Sequence, residues 1–267
     1  MDDAPALVPV DPIAAALLPG LPVEAIRACY AAAPGNEIES GKFLSSASSA
    51  ALAANTFGLF VTDAGAALLP PLPGGDWGRA ASPARLEGLL RFPWSGGRHP
   101  CLDVLIETST ALIGIESKRY EPFRPKGAVP LSDAYWRPVW GAAMTGYERI
   151  RDSLRDQTST FARLDAAQLV KHAFALRTSV HRGERVGKQP VLFYLYAEPA
   201  FWPDKRTVSL IDIETHRAEI DRFSDLVAGD EVVFHACSYQ ALLAGWISSG
   251  PPAVRDHATA VMAHFSL

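Results

Sequence analysis

The sequence predicts an α/β fold in which a central mixed β-sheet is flanked by helices. The segments 100–106 and 111–118 are apolar and separated by a short turn, which is typical of two adjacent strands. Residues 165–180 carry apolar side chains at helical spacing, and residues 191–197 form an almost continuous apolar run, as in a strand buried on both faces. This order of helix, strands, helix and strand indicates a mixed sheet covered by helices.

The region before the two adjacent strands contains helices and one further strand. A helix is predicted over 22–33, because a proline lies near its start and Pro34-Gly35 would end it. A second helix, over 45–55, is rich in alanine and serine and would pack closely on a neighbour. The remaining predictions are a short strand at 59–61, a proline-rich loop at 69–83 and a strand at 86–92.

The region after the two adjacent strands is predicted to alternate between helices and strands. Asp165 is a good N-cap for the helix over 165–180. The other predicted elements are a linker at 120–130, helices at 133–154, 220–226 and 238–248, and strands at 208–213 and 231–236. We treat residues 1–267 as a single domain with its motifs within 36–197, and residues 198–267 as an extension of unknown role.

Composition and charge limit the classes of function. The 267 residues are 48% apolar and 20% charged, which is ordinary for a globular protein, and the net charge of −4 means that a nucleic acid would need a local basic patch. The three cysteines are far apart and odd in number, which disfavours a structural zinc site and favours reduced thiols in a cytoplasmic protein. The acidic start is unlike a secretory signal, and no apolar run is long enough to span a bilayer.

Three charged residues interrupt the two apolar strands, where a core strand should carry none. Glu116 and Lys118 are two apart, so their side chains share one face of the strand, and a hairpin would bring Asp103 beside them. Two carboxylates and an ammonium suit a hard divalent cation and a phosphate ester, which suggests a metal-dependent nuclease. The alternative is a surface hairpin with an ordinary ion pair.

These motifs resemble the PD-(D/E)XK nuclease superfamily, which has the restriction-endonuclease-like fold. The match is Pro100-Cys101-Leu102-Asp103 followed by Glu116-Ser117-Lys118, although the family often has its proline and aspartate adjacent. The resemblance implies that Asp103 and Glu116 bind Mg²⁺ or Mn²⁺ and that Lys118 positions or activates the attacking water. It also implies a glutamate before the core sheet, for which we favour Glu37 over Glu39, and a glutamine on the following helix, which would be Gln168.

The implied function is a magnesium-dependent endodeoxyribonuclease, and duplex DNA is the expected substrate. The residues alone leave branched DNA, single-stranded DNA and RNA open as substrates. Cutting both strands with one site per chain would favour a homodimer. Two basic clusters could grip phosphates on either side of the site, although each could instead be a solvated loop. They are Arg119, Arg124 and Lys126, and Arg177, Arg182, Arg185 and Lys188.

Other functions remain open on the sequence alone. The chain could be a catalytically silent nucleic-acid-binding or assembly module of the same fold, or an unrelated enzyme in which the Glu116–Lys118 pair is structural. His172 lies on the apolar stripe of its helix and is interpreted as a core residue. The absence of an HExxH motif and of a glycine-rich phosphate loop disfavours a zinc hydrolase and an ATPase.

Overall fold

A five-stranded mixed β-sheet organises the described part of the chain. The computed structural model describes residues 11–35, 37–94, 99–125, 130–158 and 160–267. The strands are β1 (Arg85–Leu89), β2 (Cys101–Glu107), β3 (Ala111–Lys118), β4 (Gln189–Tyr196) and β5 (Val233–Ser238). They lie side by side in sequence order, with β2 antiparallel to both of its neighbours, β1 and β3, and with β4 and β5 parallel to β3. The predicted α/β class with a mixed sheet is confirmed.

Helices cover both faces of this sheet. The α-helices among the described residues are α1 (Pro12–Ala16), α2 (Val23–Ala32), α3 (Ser49–Phe57), α4 (Asp63–Ala66), α5 (Thr145–Arg155), α6 (Ala166–Val180), α7 (Leu210–Val227), α8 (Tyr239–Ser249) and α9 (Pro252–Phe265). Residues of α2, α3, α8 and α9 form the first hydrophobic core, on one face of the sheet. Residues of α5, α6 and α7 form the second core, on the other face.

Alternation along β3 separates the two cores and places the charged residues. Ile113 and Ile115 belong to the first core, whereas Leu112 belongs to the second. Because side chains alternate along a strand, Glu116 and Lys118 lie on the side of Leu112, which α6 covers. The chain therefore sends two charged side chains into the interface between the sheet and α6.

Most of the predicted elements are found with small shifts at their ends. Helix α6 begins as predicted after Asp165, whose side chain accepts a hydrogen bond from the backbone N–H of Gln168 at 3.0 Å. Helix α3 begins later than predicted, because Ser48 is its N-cap. Strand β1 covers only the first part of the predicted 86–92.

Three predictions are wrong, and each has a local cause. Residues 58–60 form a 3₁₀ turn rather than a strand. Residues 208–213 contain the start of α7 rather than a strand, because the side chain of Ser209 caps the helix. The predicted helix over 133–154 is broken into two 3₁₀ turns and α5, since Pro138 disfavours a continuous helix and Gly141 has a φ of 78°.

Residues 198–267 complete the sheet and contribute to both of its cores. They supply β5, which pairs with β4, and also α7, α8 and α9, of which the last has no counterpart in the sequence prediction. Tyr239 at the start of α8 shares a 2.6 Å hydrogen bond with the Ser117 hydroxyl of β3. This C-terminal segment is therefore built into the same sheet as the charged motif.

Candidate active site

The pairing between β2 and β3 opens at the position of the charged residues. The last hydrogen-bonded pair at this end is Val104 with Ile115, so the next position along the strands puts Asp103 opposite Glu116. Beyond it, the Ser117 backbone N–H donates to Asp103 Oδ2 at 2.6 Å instead of to a backbone carbonyl. Because β3 stays paired with β4 as far as Lys118, the opening is confined to one side of the strand.

Glu116 is the most buried of the charged residues, with 2% of its side chain exposed, and both of its carboxylate oxygens have cationic or polar partners. Oε1 forms an ion pair with Lys118 Nζ, and Oε2 lies 3.1 Å from Nδ1 of His172 on α6. Burial alone would raise the pKa of Glu116, but the attraction of Lys118 and then of His172 outweighs burial and lowers that pKa to about 2. Glu116 is therefore a carboxylate at every physiological pH.

The environment of Asp103 shifts its pKa in the opposite direction from that of Glu116. Burial and the nearby Glu116 carboxylate raise its pKa well above the usual range, and the attraction of Lys118 offsets only part of that rise. Its ionised form is therefore costly without additional positive charge. Lys118 itself has a raised pKa, because the attraction of Glu116 and Asp103 outweighs its burial, so it stays an ammonium.

Glu87 on β1 is a third carboxyl group at this place. The pairs Leu86–Val104 and Gly88–Leu102 put Glu87 opposite Asp103. Glu87 has a φ of 53°, in the left-handed region that a non-glycine residue seldom occupies. Burial, opposed in part by a hydrogen bond from the Cys101 thiol, and repulsion by Glu37 and Glu116 raise its pKa to about 7.

At Glu87, the regular alternation of side chains between the two faces of the sheet is interrupted. On β1, Leu86 belongs to the first core, whereas Leu90 just beyond the strand belongs to the second. Their partners on β2 change in the same way, because Val104 belongs to the first core and Leu102 to the second. Both strands twist where the carboxyl groups face each other, and strained backbone of this kind is common at functional sites.

Glu37 approaches Glu87 from the helical side of the sheet. It lies in the turn after α2 and lines a shallow depression together with Glu39, Tyr30 and Glu87. Its side chain is 31% exposed and lies 3.8 Å from the Lys42 ammonium. Glu37 is close enough to raise the pKa of Glu87, whereas Glu39 is an exposed residue at the rim. These positions support the preference for Glu37.

Gln168 lies on the helix that covers the site. It is in the first turn of α6, one turn before His172, so the two residues share one side of the helix. His172 is the residue of α6 that contacts Glu116 directly. The position of Gln168 is therefore compatible with the predicted role.

The carboxyl groups form a set of donors that suits a hard cation. Asp103, Glu116 and Glu87 offer oxygen ligands, and their negative charge exceeds the single positive charge of Lys118. In the described part of the chain, however, no three His, Cys, Asp or Glu side chains are already grouped as a metal site. Carboxylate oxygens are the kind of ligand that Mg²⁺ or Mn²⁺ prefers, and binding of the cation by Asp103 and Glu116 stays a prediction.

The predicted basic rim is mostly engaged within the protein itself. Arg119 is buried, and its guanidinium donates to the carbonyls of Ser46 and Phe265 at 2.7 and 2.9 Å. Arg177 lies 3.5 Å from Glu231 and donates to the Val139 carbonyl at 2.7 Å. Several donors of these two arginines are therefore engaged inside the fold, and their contact with phosphates stays a prediction.

The two predicted clusters also lie at opposite ends of β3. Arg124 follows the C-terminal end of that strand, whereas Lys188 bonds to the carbonyl of Thr108 just before its N-terminal end. The cause is the parallel crossover, in which α6 returns the chain to the beginning of β4. Arg185 and Lys188 both pair with Glu107, Arg124 and Arg182 are exposed, and Lys126 lies outside the described residues.

Sequence reasoning missed Glu87 and the role of His172. Glu87 carried a weak signal, since it is a charged residue followed by a glycine inside a predicted strand. Its place opposite Asp103 depends on the register of β1 on β2, which the sequence does not specify. His172 is buried, as the sequence predicts, but it contacts a carboxylate rather than only apolar neighbours.

Comparisons with known proteins leave the site to be interpreted from its own geometry. No family model, no curated protein and no solved structure matches this chain. Within the described ranges, no helix has both the length and the apolar character needed to cross a bilayer.

Proposed function

We propose that this protein is a magnesium-dependent nuclease that hydrolyses phosphodiester bonds in DNA. The observation that carries the proposal is the convergence of Asp103, Glu116 and Lys118 at the point where the pairing of β2 and β3 opens. Buried charges are costly and are seldom found in core strands unless they are paired or serve a function. In this cluster, the environment of the Asp103 carboxyl group opposes its ionisation.

The order of the motifs along the chain gives further support. A glutamate precedes the sheet, an aspartate strand and a Glu-x-Lys strand follow, and a helix with a glutamine covers the second strand. This is the order that the resemblance to the PD-(D/E)XK superfamily implies. We therefore propose that the core of the sheet is of the restriction-endonuclease-like kind.

Each residue of the site would have a distinct role in the proposed hydrolysis. Asp103 and Glu116 would hold the divalent cation, which would supply charge stabilisation for the scissile phosphate and a more acidic bound water. Because Lys118 stays protonated, it would act as a hydrogen-bond donor and point charge toward the phosphate rather than as a base. His172 would be a positioning residue, since it contacts Glu116 and helps to keep that carboxylate ionised.

A second candidate is a catalytically silent DNA-binding or assembly module of the same fold. It is favoured by the engagement of both oxygens of Glu116, one by Lys118 and one by His172, which closes the network without a metal. In this case the charged residues would only stabilise the fold. DNA binding without cleavage under every metal condition would identify this alternative.

Cleavage of plasmid DNA in Mg²⁺ or Mn²⁺ tests the proposal. The informative variant is Asp103→Asn, because the amide oxygen can still accept the Ser117 N–H while the negative charge is lost. Asp76→Asn is the matched control, since Asp76 is an exposed aspartate that likewise accepts a backbone N–H, that of Gly78 at 3.1 Å.

We expect the wild type and Asp76→Asn to nick and linearise plasmid, and Asp103→Asn to lose this activity. Addition of EDTA should stop cleavage in all of them. Equal cleavage by Asp103→Asn and the wild type would refute the proposal. The homodimer stays a prediction, because it follows from the expectation that one site per chain must cut both strands. The molecular mass of the protein–DNA complex would show whether two chains are bound.

A further inference from the structure

Four arginines line one cavity at the flank of the sheet, between β1 and the end of α6. Arg85 and Arg91 come from the β1 side, and Arg182 and Arg185 come from the segment after α6. The cavity has a volume of about 310 Å³, and Thr178 and Ser179 add hydroxyl groups to its wall. This size is at the lower end of the range for small-molecule sites.

The positive charge of this cavity is only partly balanced by the protein. Arg185 lies 3.2 Å from Glu107, which also serves Lys188 at 3.4 Å, so that carboxylate is shared by two cations. Among the side chains that the structure describes, no carboxylate lies within ion-pair distance of Arg85, Arg91 or Arg182.

The C-terminal end of α6 offsets too little of this charge. A helix terminus carries about −0.5 of an elementary charge, which is less than that of a single guanidinium. Arg85 shows the effect of the excess, because burial and then the repulsion of Arg185 lower its pKa. Guanidinium groups gathered in this way are favourable when an anion joins them.

We propose that this arginine cavity binds a phosphoryl group. The planar guanidinium presents a fork of donors that matches phosphate oxygens bidentately, and several guanidiniums around one cavity are typical of phosphate recognition. The hydroxyl groups of Thr178 and Ser179 are already hydrogen-bonded, to Phe174 and Arg185. Recognition therefore rests on Arg85, Arg91 and Arg182, for which the described residues provide no ion pair, although Glu107 also attracts Arg85.

The cavity is near the candidate active site but distinct from it. Arg85 precedes Glu87 by two residues, which is about 7 Å along a strand. Binding of a phosphoryl group does not depend on the proposed nuclease function. That the group belongs to the backbone of a nucleic acid does rest on that function, and a free phosphate or nucleotide is the other source.

Calorimetric titration in EDTA separates this cavity from any metal-dependent binding. The probes are inorganic phosphate, a nucleoside 5′-monophosphate and a short DNA duplex. The variants are Arg91→Gln, outside the strand, and the double variant Arg85→Gln with Arg182→Gln. Arg255→Gln is the matched control, because Arg255 is an exposed arginine on α9, far along the chain from this cavity.

We expect the wild type and Arg255→Gln to bind, and each removed cavity arginine to weaken binding about tenfold or more. Tighter binding of the duplex than of phosphate would identify backbone phosphate as the ligand, and equal affinities would identify a free phosphate or nucleotide. No binding of any probe by the wild type, or unchanged binding by the cavity variants, would overturn the proposal. Binding of inorganic phosphate in EDTA is measured without any cleavage of DNA, so failure of the nuclease proposal would leave this result unchanged and the two proposals stay separable.

Discussion

At the scale of single residues, Glu87 makes the stability of the metal-free protein depend on pH. Its folded pKa of about 7 lies above the value of about 4.3 for an unfolded glutamate. A carboxyl group whose folded pKa is raised costs stability as the pH rises from the unfolded to the folded pKa. We predict that Glu87→Gln in EDTA stabilises the protein little at pH 4 and increasingly up to pH 7.

Thermal melting of Glu87→Gln and the wild type across this range measures the effect. Glu39→Gln is the control, because Glu39 is exposed and lies on the same depression. It should change the melting temperature little at any pH. A stabilisation by Glu87→Gln that does not vary with pH would show that repulsion and burial do not act on this group.

In the proposed nuclease, Lys118 would have both a structural and a catalytic role. Its side chain is 12% exposed and paired with a carboxylate that is 2% exposed, so Lys118→Ala leaves a buried charge uncompensated. Breaking such a pair costs about 3–5 kcal/mol, and we predict a clear fall in melting temperature. Below that temperature, where circular dichroism shows a folded protein, cleavage should fall about 10²-fold or more while DNA binding changes less. Near-normal cleavage by the folded variant would remove Lys118 from the catalytic residues.

At the scale of elements, Glu219 joins α7 to the loop before α6. Its carboxylate accepts three backbone N–H groups, those of Ala162, Arg163 and Leu164, at 2.6 to 2.8 Å. Because Glu219 is only 9% exposed, Glu219→Ala would leave these donors without a partner. We predict a loss of about 2–4 kcal/mol in the free energy of unfolding, measured in urea. Glu214→Ala, on the exposed side of α7, is the control, and equal losses in both variants would contradict this account.

How far the sequence predicts an element depends on whether local signals decide it. Helix α6 was predictable because its cap and its apolar stripe agree. Residues 208–213 were not, since their apolar character suggests a strand, whereas Ser209 caps a helix that leaves Leu210 and Ile211 71% and 74% exposed. The broken region over 133–154 depends on Gly141 and Pro138, which the helical spacing of the aromatic residues outweighed in the prediction.

The residues of the candidate site were likewise predictable only where local sequence signals identify them. Asp103, Glu116 and Lys118 were predictable because charges inside apolar strands are conspicuous in the sequence. Glu87 was not, because its contribution comes from strand register. The separation of the two basic clusters was not predictable for a topological reason, since residues close in sequence to the end of α6 are carried to the opposite end of β3 from Arg124.

At the scale of the whole molecule, the C-terminal segment is required for the fold. Tyr239, Trp246 and Phe265 belong to the same hydrophobic core as Ile113 on β3. Arg119 ties the end of α9 to Ser46, near the start of α3. We predict that a chain ending at Ala197 does not fold, and that it shows no cooperative melting by circular dichroism. A truncated chain that melts cooperatively would show that the segment is dispensable.

The most direct test of the central claim, that Asp103 and Glu116 hold a divalent cation, is thermal melting of the wild type and Asp103→Asn with EDTA or with Mn²⁺. The raised pKa of Asp103 means that its charge destabilises the metal-free protein at neutral pH, so in EDTA the variant should melt above the wild type. Added Mn²⁺ should raise the melting temperature of the wild type and of Asp76→Asn but leave that of Asp103→Asn unchanged. If Mn²⁺ stabilises Asp103→Asn as much as the wild type, the cation does not bind at these carboxylates.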